Sequence, residues 1–209
     1  MQPVTIVTGP GVALPLNNID TDQLIPARFM SRSRSEGYGD QFMYDLRFDE
    51  DGGAREDFPL NRLPELPAVL VAGDNFGCGS SREAAVYALL DHGIRVVVAP
   101  SFADIFRTNA ARNGLLTISP AETDHVALVK HLEATPGAII SVDLEAQIVS
   151  GDELEAFSFP YDPALKRRLL LGLDDLTETL EHEPAIRAFE RVLFQQAPWT
   201  FPVNPIADP

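Results

Sequence analysis

The chain contains 209 residues, 45% of them apolar, and carries a formal net charge of −15. That length can bury a sizeable core, whereas the acidic balance argues against nucleic-acid binding, which needs basic patches. No apolar run is long enough to span a membrane. One cysteine excludes an internal disulfide framework and a cysteine-rich metal site. With no secretory-signal pattern at the N-terminus, these features predict a cytoplasmic protein.

The N-terminal part predicts one strand followed by irregular segments. We expect a strand at Val4–Val7, ended by Gly9-Pro10-Gly11, and then a polar loop at Asn17–Asp22. Residues 31–57 combine glycines and scattered charge with few apolar side chains to anchor them. This composition predicts a mobile excursion, and an ordinary surface loop is the alternative.

The centre of the chain alternates short apolar runs with helical patterns. The predicted strands lie at 69–73, 94–99 and 115–118, and the predicted helices at 81–91, 101–113 and 122–133. Ser101 is the expected N-cap of the second helix, and Gly93 and Gly114 the expected C′ residues. This order predicts parallel strands joined by helical crossovers.

The C-terminal part predicts antiparallel strands and then helices. Strands are expected at 139–149, with a turn near Glu145, and at 155–159; helices are expected at about 163–171, 173–180 and 184–194, before a proline-rich tail at 197–209. We therefore expect one domain over residues 1–209, with a C-terminal helical segment and tail at about 163–209.

The segment Asp74–Glu83 is the most informative motif. Its glycine-rich turn lies between a predicted strand and a predicted helix and carries Ser80, Ser81 and Arg82. Ser80 and Glu83 fit a capping box, and a helix N-terminus beside a forked guanidinium suits a carboxylate. The plain alternative is a cap that only starts a helix. A Walker A loop is excluded because the segment has no lysine.

Several motifs in the same order resemble the aconitase superfamily and, within it, the small subunits of isopropylmalate dehydratase. The matching segments are Asn18–Phe29, Asn75–Glu83, Val97–Phe106, Asn113–Leu116, Val142–Gln147 and Gly172–Leu180. The resemblance implies an α/β fold, the swivelling β/β/α domain of aconitases, with a central strand-helix-strand core and C-terminal helices.

The resemblance also implies a reaction and a partner. The reaction would isomerise 2-isopropylmalate to 3-isopropylmalate by dehydration and rehydration in leucine biosynthesis. The partner would be a large subunit in a heterodimer or larger assembly, carrying a 4Fe–4S cluster that the single cysteine here cannot hold. No cofactor is expected in this chain, and the substrate would be a small hydroxy diacid.

The family pattern also implies roles for individual residues. Ser80 would be the catalytic base, and Ser81 and Arg82 would bind substrate carboxylate. Further substrate-binding residues are expected on the loop after Pro26: Arg28, Phe29, Ser31 and Arg32. No metal ligand is expected. The pair Asp20 and Asp22 fits an ordinary polar turn better than a metal loop.

Departures from the family pattern leave the substrate open. Ser35-Glu36 and Ala84–Tyr87 differ from the residues that many relatives carry, as does Leu46. A paralogous dehydratase for a citramalate- or dimethylmalate-type diacid is one alternative, and a non-catalytic anion-binding subunit is another. The histidines, His92, His125, His131 and His182, are scattered, which predicts surface positions.

Overall fold

The computed structural model describes residues 1–31 and 33–201, apart from the side chain of Glu36. The strands are β1 (Ile6–Leu14), β2 (Val69–Ala72), β3 (Val96–Val98), β4 (Leu116–Ile118), β5 (Ile139–Asp143), β6 (Ile148–Gly151) and β7 (Leu154–Ser158). The helices are α1 (Thr21–Leu24), α2 (Tyr44–Arg47), α3 (Ala84–His92), α4 (Asp104–Asn113), α5 (Glu122–Ala134), α6 (Pro163–Leu171), α7 (Asp175–Leu180) and α8 (Glu183–Gln196).

The strands form a mixed sheet with the order β4-β3-β2-β1-β5-β6-β7. Strands β1 to β4 are parallel and are joined by crossovers that include α3 and α4, as the alternating pattern predicts. Strands β5 to β7 are antiparallel, which confirms the second predicted arrangement. The carboxyl ends of β1, β2 and β3 therefore meet at one edge, where polar loops follow each strand.

Strand β1 runs through the segment predicted to end it. Its first half pairs antiparallel with β5 up to Pro10, and its second half pairs parallel with β2 from Gly11 onward. The prediction that Gly9-Pro10-Gly11 ends the strand is therefore wrong. Proline is tolerated because it lies where the strand changes partner, and its carbonyl accepts the Ala68 N–H at 2.9 Å.

Apolar side chains cover both faces of the parallel part of the sheet. In β2, Leu70 and Ala72 belong to one buried cluster and Val69 and Val71 to the other, as alternation along a strand requires. The first cluster contains residues of α3 and α4, and the second contains residues of α5 and α6. The parallel core is thus buried between layers of helices, which is why its strands are apolar on both sides.

The segment 31–57 is anchored more strongly than its composition suggests. Tyr38, Phe42 and Met43 are buried in the first cluster, the last two with no exposed surface. The expectation that few apolar residues anchor the segment is wrong, because these three side chains reach the core next to α3. Short helical turns cover much of the segment, including α2.

The described residues from Leu173 onward form a second compact unit, separate from Met1–Gly172. It contains α7 and α8, close to the predicted helices, and in α8 the side chains of Ile186, Phe189 and Val192 are exposed. The last part of the predicted tail lies outside the described residues. None of the helices described is both long and apolar enough to cross a membrane.

Two histidines are buried, contrary to the expectation of surface positions. His125 donates from Nε2 to the Ala72 carbonyl at 2.8 Å, and His92 donates from Nδ1 to the Gly39 carbonyl at 3.0 Å. A carbonyl can only accept, so His92 carries its proton on Nδ1. Burial, with the nearby Arg47 charge second, lowers the pKa of His92 from 6.5 to about 4. The ring is therefore neutral in the folded protein at neutral pH.

We predict that His92 makes the protein less stable in mild acid. Between pH 6.5 and about pH 4, His92 is protonated in the unfolded chain but neutral in the folded chain. The free energy of unfolding should therefore fall by about 1.4 kcal/mol for each unit by which the pH is lowered across that window. In His92→Asn, which retains an N–H donor, this part of the pH dependence should vanish in urea unfolding followed by circular dichroism.

The exposed His182 supplies the control. In His182→Asn, which replaces an exposed side chain, the free energy of unfolding at pH 7 should stay within about 0.5 kcal/mol of the wild type. An unchanged pH dependence in His92→Asn would contradict the assignment of a neutral, buried imidazole.

Candidate functional site

The turn after β2 needs glycine at its centre. Gly77 has a φ of +74°, and a Cβ there would lie 2.2 Å from Cγ of Phe106. No other residue fits without moving this ring, which packs edge-on against Phe76 at a centroid distance of 5.3 Å. The turn is thus packed closely against Phe106 near the start of α4. This packing restricts the backbone that leads to Ser80.

The loop after β1 lies alongside this turn and is stabilised by its own cap. Asp20 is the N-cap of α1: its carboxylate accepts the Gln23 N–H at 2.7 Å, and the Gln23 side chain accepts the Asp20 N–H at 3.0 Å. This reciprocal pair is a capping box. A capping box therefore occurs in the chain, but at Asp20 and not at Ser80.

Backbone hydrogen bonds, which we call the ladder, join the loop after β1 to the turn after β2. They are Asn18 N–H to Asp74 O at 2.8 Å, Gly77 N–H to Ile19 O at 2.8 Å and Thr21 N–H to Cys78 O at 2.9 Å. At the end of the ladder, the Ser80 N–H donates to the Thr21 hydroxyl at 3.1 Å. Thr21 is 1% exposed, so this contact places Ser80 against a buried and fixed side chain.

The backbone of Ser80 is held while its hydroxyl stays available. Ser80 and Ser81 are exposed, and neither hydroxyl has a hydrogen-bond partner in the described part of the chain. The predicted capping box is wrong, since α3 begins at Ala84 with Glu83 at its N-cap and no side-chain cap. The Glu83 carboxylate instead accepts from Nδ2 of Asn113 at 2.6 Å.

Arg82 forms an ion pair that sequence reasoning missed. Its Nη1 donates to Oδ1 of Asp22, the residue next to Thr21. The Arg82 side chain is 29% exposed and that of Asp22 is 58% exposed. The interpretation of Asp20 and Asp22 as an ordinary polar turn is thus incomplete: Asp20 caps α1, and Asp22 holds the guanidinium beside the two serines.

Ser101, in the loop after β3, supports the turn. Its hydroxyl donates to Oδ1 of Asp74 at 2.5 Å and accepts the Asn75 N–H at 2.9 Å, while its carbonyl accepts the Phe76 N–H at 3.1 Å. The prediction that Ser101 caps α4 is wrong, because Ala103 occupies that position. The long-range contacts with the turn take the hydroxyl that a local cap would have used.

The other predicted substrate residues form a separate group on the loop after α1. Arg28 pairs with Asp45, and its guanidinium carbon lies 4.5 Å from the ring centroid of Phe29. The Ser31 hydroxyl donates to the Arg28 carbonyl at 3.3 Å. The hydrogen bond from Arg28 lowers the pKa of Asp45. The structure thus groups these residues, but not with Arg82; Arg32 lies outside the described residues.

The described residues provide hydrogen-bond donors at the turn but no metal site. Cys78 is a half-buried free thiol, and its carbonyl takes part in the ladder. Within residues 1–31 and 33–201, no group of three or more His, Cys, Asp or Glu side chains is arranged to hold a metal. Two hydroxyls and a guanidinium can donate hydrogen bonds to an anionic ligand, and both serines are exposed.

Family profiles match most of the chain. The family profile for the Aconitase C-terminal domain matches residues 1–123, and that for LeuD_N matches residues 126–163. A third profile, for the C-terminal domain of the 3-isopropylmalate dehydratase small subunit, matches residues 179–203.

Individual relatives match over almost their whole length. The 3-isopropylmalate dehydratase small subunit of Jannaschia sp. strain CCS1 is 46% identical, with 95% of this chain and 100% of the relative covered. The protein of the same description from Roseiflexus sp. strain RS-1 is 46% identical over 91% and 94%. A crystal structure of 3-isopropylmalate dehydratase from Methanocaldococcus jannaschii matches with a TM-score of 0.62 and 28% identity, covering 88% of this chain and 99% of that one.

We predict that Gly77→Ala strongly destabilises the protein. The substitution combines a left-handed backbone with a collision against Phe106, so the free energy of unfolding should fall by roughly 3–5 kcal/mol. Gly52 is a matched control, because its φ is +81° but a Cβ there would meet only Tyr44 Oη, at 3.7 Å. Gly52→Ala should cost about 1–2 kcal/mol in urea unfolding. Equal losses for the two variants would show that packing against Phe106 is unimportant.

Proposed function

Because the chain belongs to the family of 3-isopropylmalate dehydratase small subunits, we propose that Ser80 is the base that interconverts 2- and 3-isopropylmalate. The family is part of the aconitase superfamily, whose α/β swivelling domain the chain was predicted to adopt and does adopt. The protein is accordingly a subunit of a hydro-lyase of leucine biosynthesis. One observation carries the assignment of Ser80: its hydroxyl is exposed while its backbone N–H is bonded to the buried Thr21 side chain.

The reaction moves a hydroxyl group between neighbouring carbons. A base removes a proton from the carbon next to one carboxylate, the C–O bond on the adjacent carbon breaks, and hydroxide leaves to give an alkene diacid. Water then adds in the opposite sense, so substrate and product have the same atoms. Abstraction of such a proton requires a strong base and stabilisation of the carboxylate that receives the charge.

Ser80 can act as that base only if its alkoxide is stabilised. Arg82 is two residues away, and the backbone N–H groups of Ser81, Glu83 and Ala84 donate no hydrogen bond within the described chain. Together with the positive end of α3, these donors would favour a negative charge at the turn. Thr21 keeps the backbone in place, so little reorganisation is needed when the proton moves.

Arg82 and Ser81 have a binding role in this proposal. The guanidinium has five N–H donors, and its ion pair with Asp22 uses only one side of the fork. A substrate carboxylate can therefore bind the remaining donors, with the Ser81 hydroxyl beside it. Arg28, Phe29 and Ser31 would contact the rest of the diacid from the loop, and Arg32 is proposed to join them.

The partner is a large subunit, as the description of the relatives as small subunits implies. We propose that it carries a 4Fe–4S cluster, because the chain has one cysteine and the described residues include no suitable ligand set. Such a cluster supplies a Lewis acid for the departing hydroxyl. We further propose a cytoplasmic enzyme, since a reducing compartment suits both the cluster and the lone thiol.

Anaerobic reconstitution tests the proposal. The chain is mixed with the cluster-loaded large subunit encoded in the same genome, and 2-isopropylmalate consumption is compared with that of each chain alone. Turnover only in the mixture supports the function. If the complex forms but converts a citramalate-type diacid instead, the assigned substrate is wrong. If no complex forms, a non-catalytic anion-binding subunit is favoured.

The same assay tests Ser80. Ser80→Ala should lower kcat on the order of 10²–10⁴-fold, because the base is lost, with assembly unchanged by size-exclusion chromatography. Ser158→Ala, on the exposed side of β7, is the matched control and should have wild-type activity. Activity of Ser80→Ala close to that of the control would contradict the assigned role.

A further inference from the structure

One stripe of α3 and its N-cap holds the guanidinium of Arg34. Glu83, Tyr87 and Asp91 follow each other at four-residue spacing, which places them on the same side of the helix. The guanidinium carbon of Arg34 lies 4.1 Å from the centroid of the Tyr87 ring. Its Nη2 donates to Oδ1 of Asp91 at 2.7 Å and its Nε to Oδ2 at 3.0 Å. Arg34 is thus stacked on an aromatic ring and bound through a fork at the same time.

Neighbouring contacts hold the same part of the loop on α3. Gly39 comes so close to the helix that a Cβ would lie 2.4 Å from the Asp91 carbonyl oxygen, and its own carbonyl accepts from His92. Further along the loop, Phe42 and Met43 are fully buried. The stretch from Arg34 to Met43 is therefore fixed to the end of α3 and to the core.

The preceding stretch is attached to α2 and to the core, but none of its described ion pairs reaches α3. Two hydrogen bonds join the Arg28 guanidinium to the Asp45 carboxylate on α2, and Phe29 and Met30 are partly buried against the first cluster. On its N-terminal side, Leu24 and Ile25 are fully buried. The stretch with Arg28, Phe29 and Ser31 is thus a span between two anchors, of which Arg34 is the C-terminal one.

We propose that Arg34 is a positioning residue that fixes the substrate-facing stretch of the loop against α3. The inference rests on the proposed function, since it assigns to Arg28, Phe29 and Ser31 a role in binding the diacid. Helix α3 begins shortly after Ser80, Ser81 and Arg82, so anchoring the loop to it relates the two halves of the site. We assign Arg34 to positioning because both of its described partners, Asp91 and Tyr87, lie on α3.

Steady-state kinetics of the assembled enzyme test this role. A loosened loop lowers the fraction of binding-competent protein, which raises KM but leaves kcat of the bound complex unchanged. We expect Arg34→Gln to raise KM for 2-isopropylmalate roughly tenfold and to change kcat less than about twofold. Arg34→Lys should recover part of the loss, because it retains the charge but not the fork. Arg62→Ala, an exposed arginine outside this stripe, is the control.

Asp91→Asn provides a second variant and a coupling test. It should raise KM to a similar extent, and the double variant Arg34→Gln with Asp91→Asn should be no worse than either single one, since both remove the same contact. Losses that multiply in the double variant, or a fall in kcat as large as the rise in KM, would overturn the positioning role.

Hydrogen exchange of the isolated chain tests the inference without any turnover. The amides of Phe29 and Met30 donate to Pro26 O and Ala27 O at 2.9 and 3.1 Å. In Arg34→Gln and Asp91→Asn these amides should exchange roughly tenfold faster, while core amides such as Val97 keep wild-type protection. Unchanged exchange at Phe29 and Met30 in both variants would overturn the inference. Failure of the wild-type assembly to convert 2-isopropylmalate would instead count against the proposed function, and the exchange result would still decide the role of Arg34.

Discussion

The buried hydroxyl of Thr21 is the contact on which the geometry of the site depends. It accepts the Ser80 N–H, while the Thr21 N–H donates to the carbonyl of Cys78. The residue itself is fixed in the first turn of α1 by the Asp20 capping box, and the next residue, Asp22, pairs with Arg82. One short helix therefore places both the proposed base and the proposed carboxylate ligand. A four-residue helix can do this because its cap and the ladder stabilise it from outside.

We propose a site divided between two subunits, and the exposure of Ser80 and Ser81 supports this proposal. This chain supplies hydroxyls, backbone donors and a guanidinium, which suit proton abstraction and carboxylate binding. The departure of hydroxide needs a Lewis acid as well, and we assign that part to the large subunit. Because an exposed serine is a poor base in water, we propose that the partner also excludes water around Ser80.

The regular parts of the fold follow from local patterns, whereas the site does not. Alternating apolar runs predict the parallel core, and Gly93 and Gly114 end α3 and α4 in the left-handed conformation as expected. The cap expected at Ser101 fails because its hydroxyl bonds to Asp74 and Asn75. In the capping box expected at Ser80, Thr21 accepts the Ser80 N–H and Asn113 donates to the Glu83 carboxylate, so Ser80 and Glu83 do not bond to each other. The Arg82–Asp22 pair joins residues 60 positions apart, so nothing in local spacing indicates it. Burial of Phe42 likewise depends on tertiary packing that composition does not reveal.

Removing the Thr21 hydroxyl tests this account most directly. Thr21→Val keeps the shape of the side chain but loses the acceptor for Ser80, and Thr21→Ser restores it. The measurement is kcat of the reconstituted enzyme for 2-isopropylmalate, with assembly checked for each variant. The account predicts a loss of about tenfold or more for Thr21→Val, as expected for a misplaced catalytic group, and recovery in Thr21→Ser. Full kcat in Thr21→Val with normal assembly would contradict it.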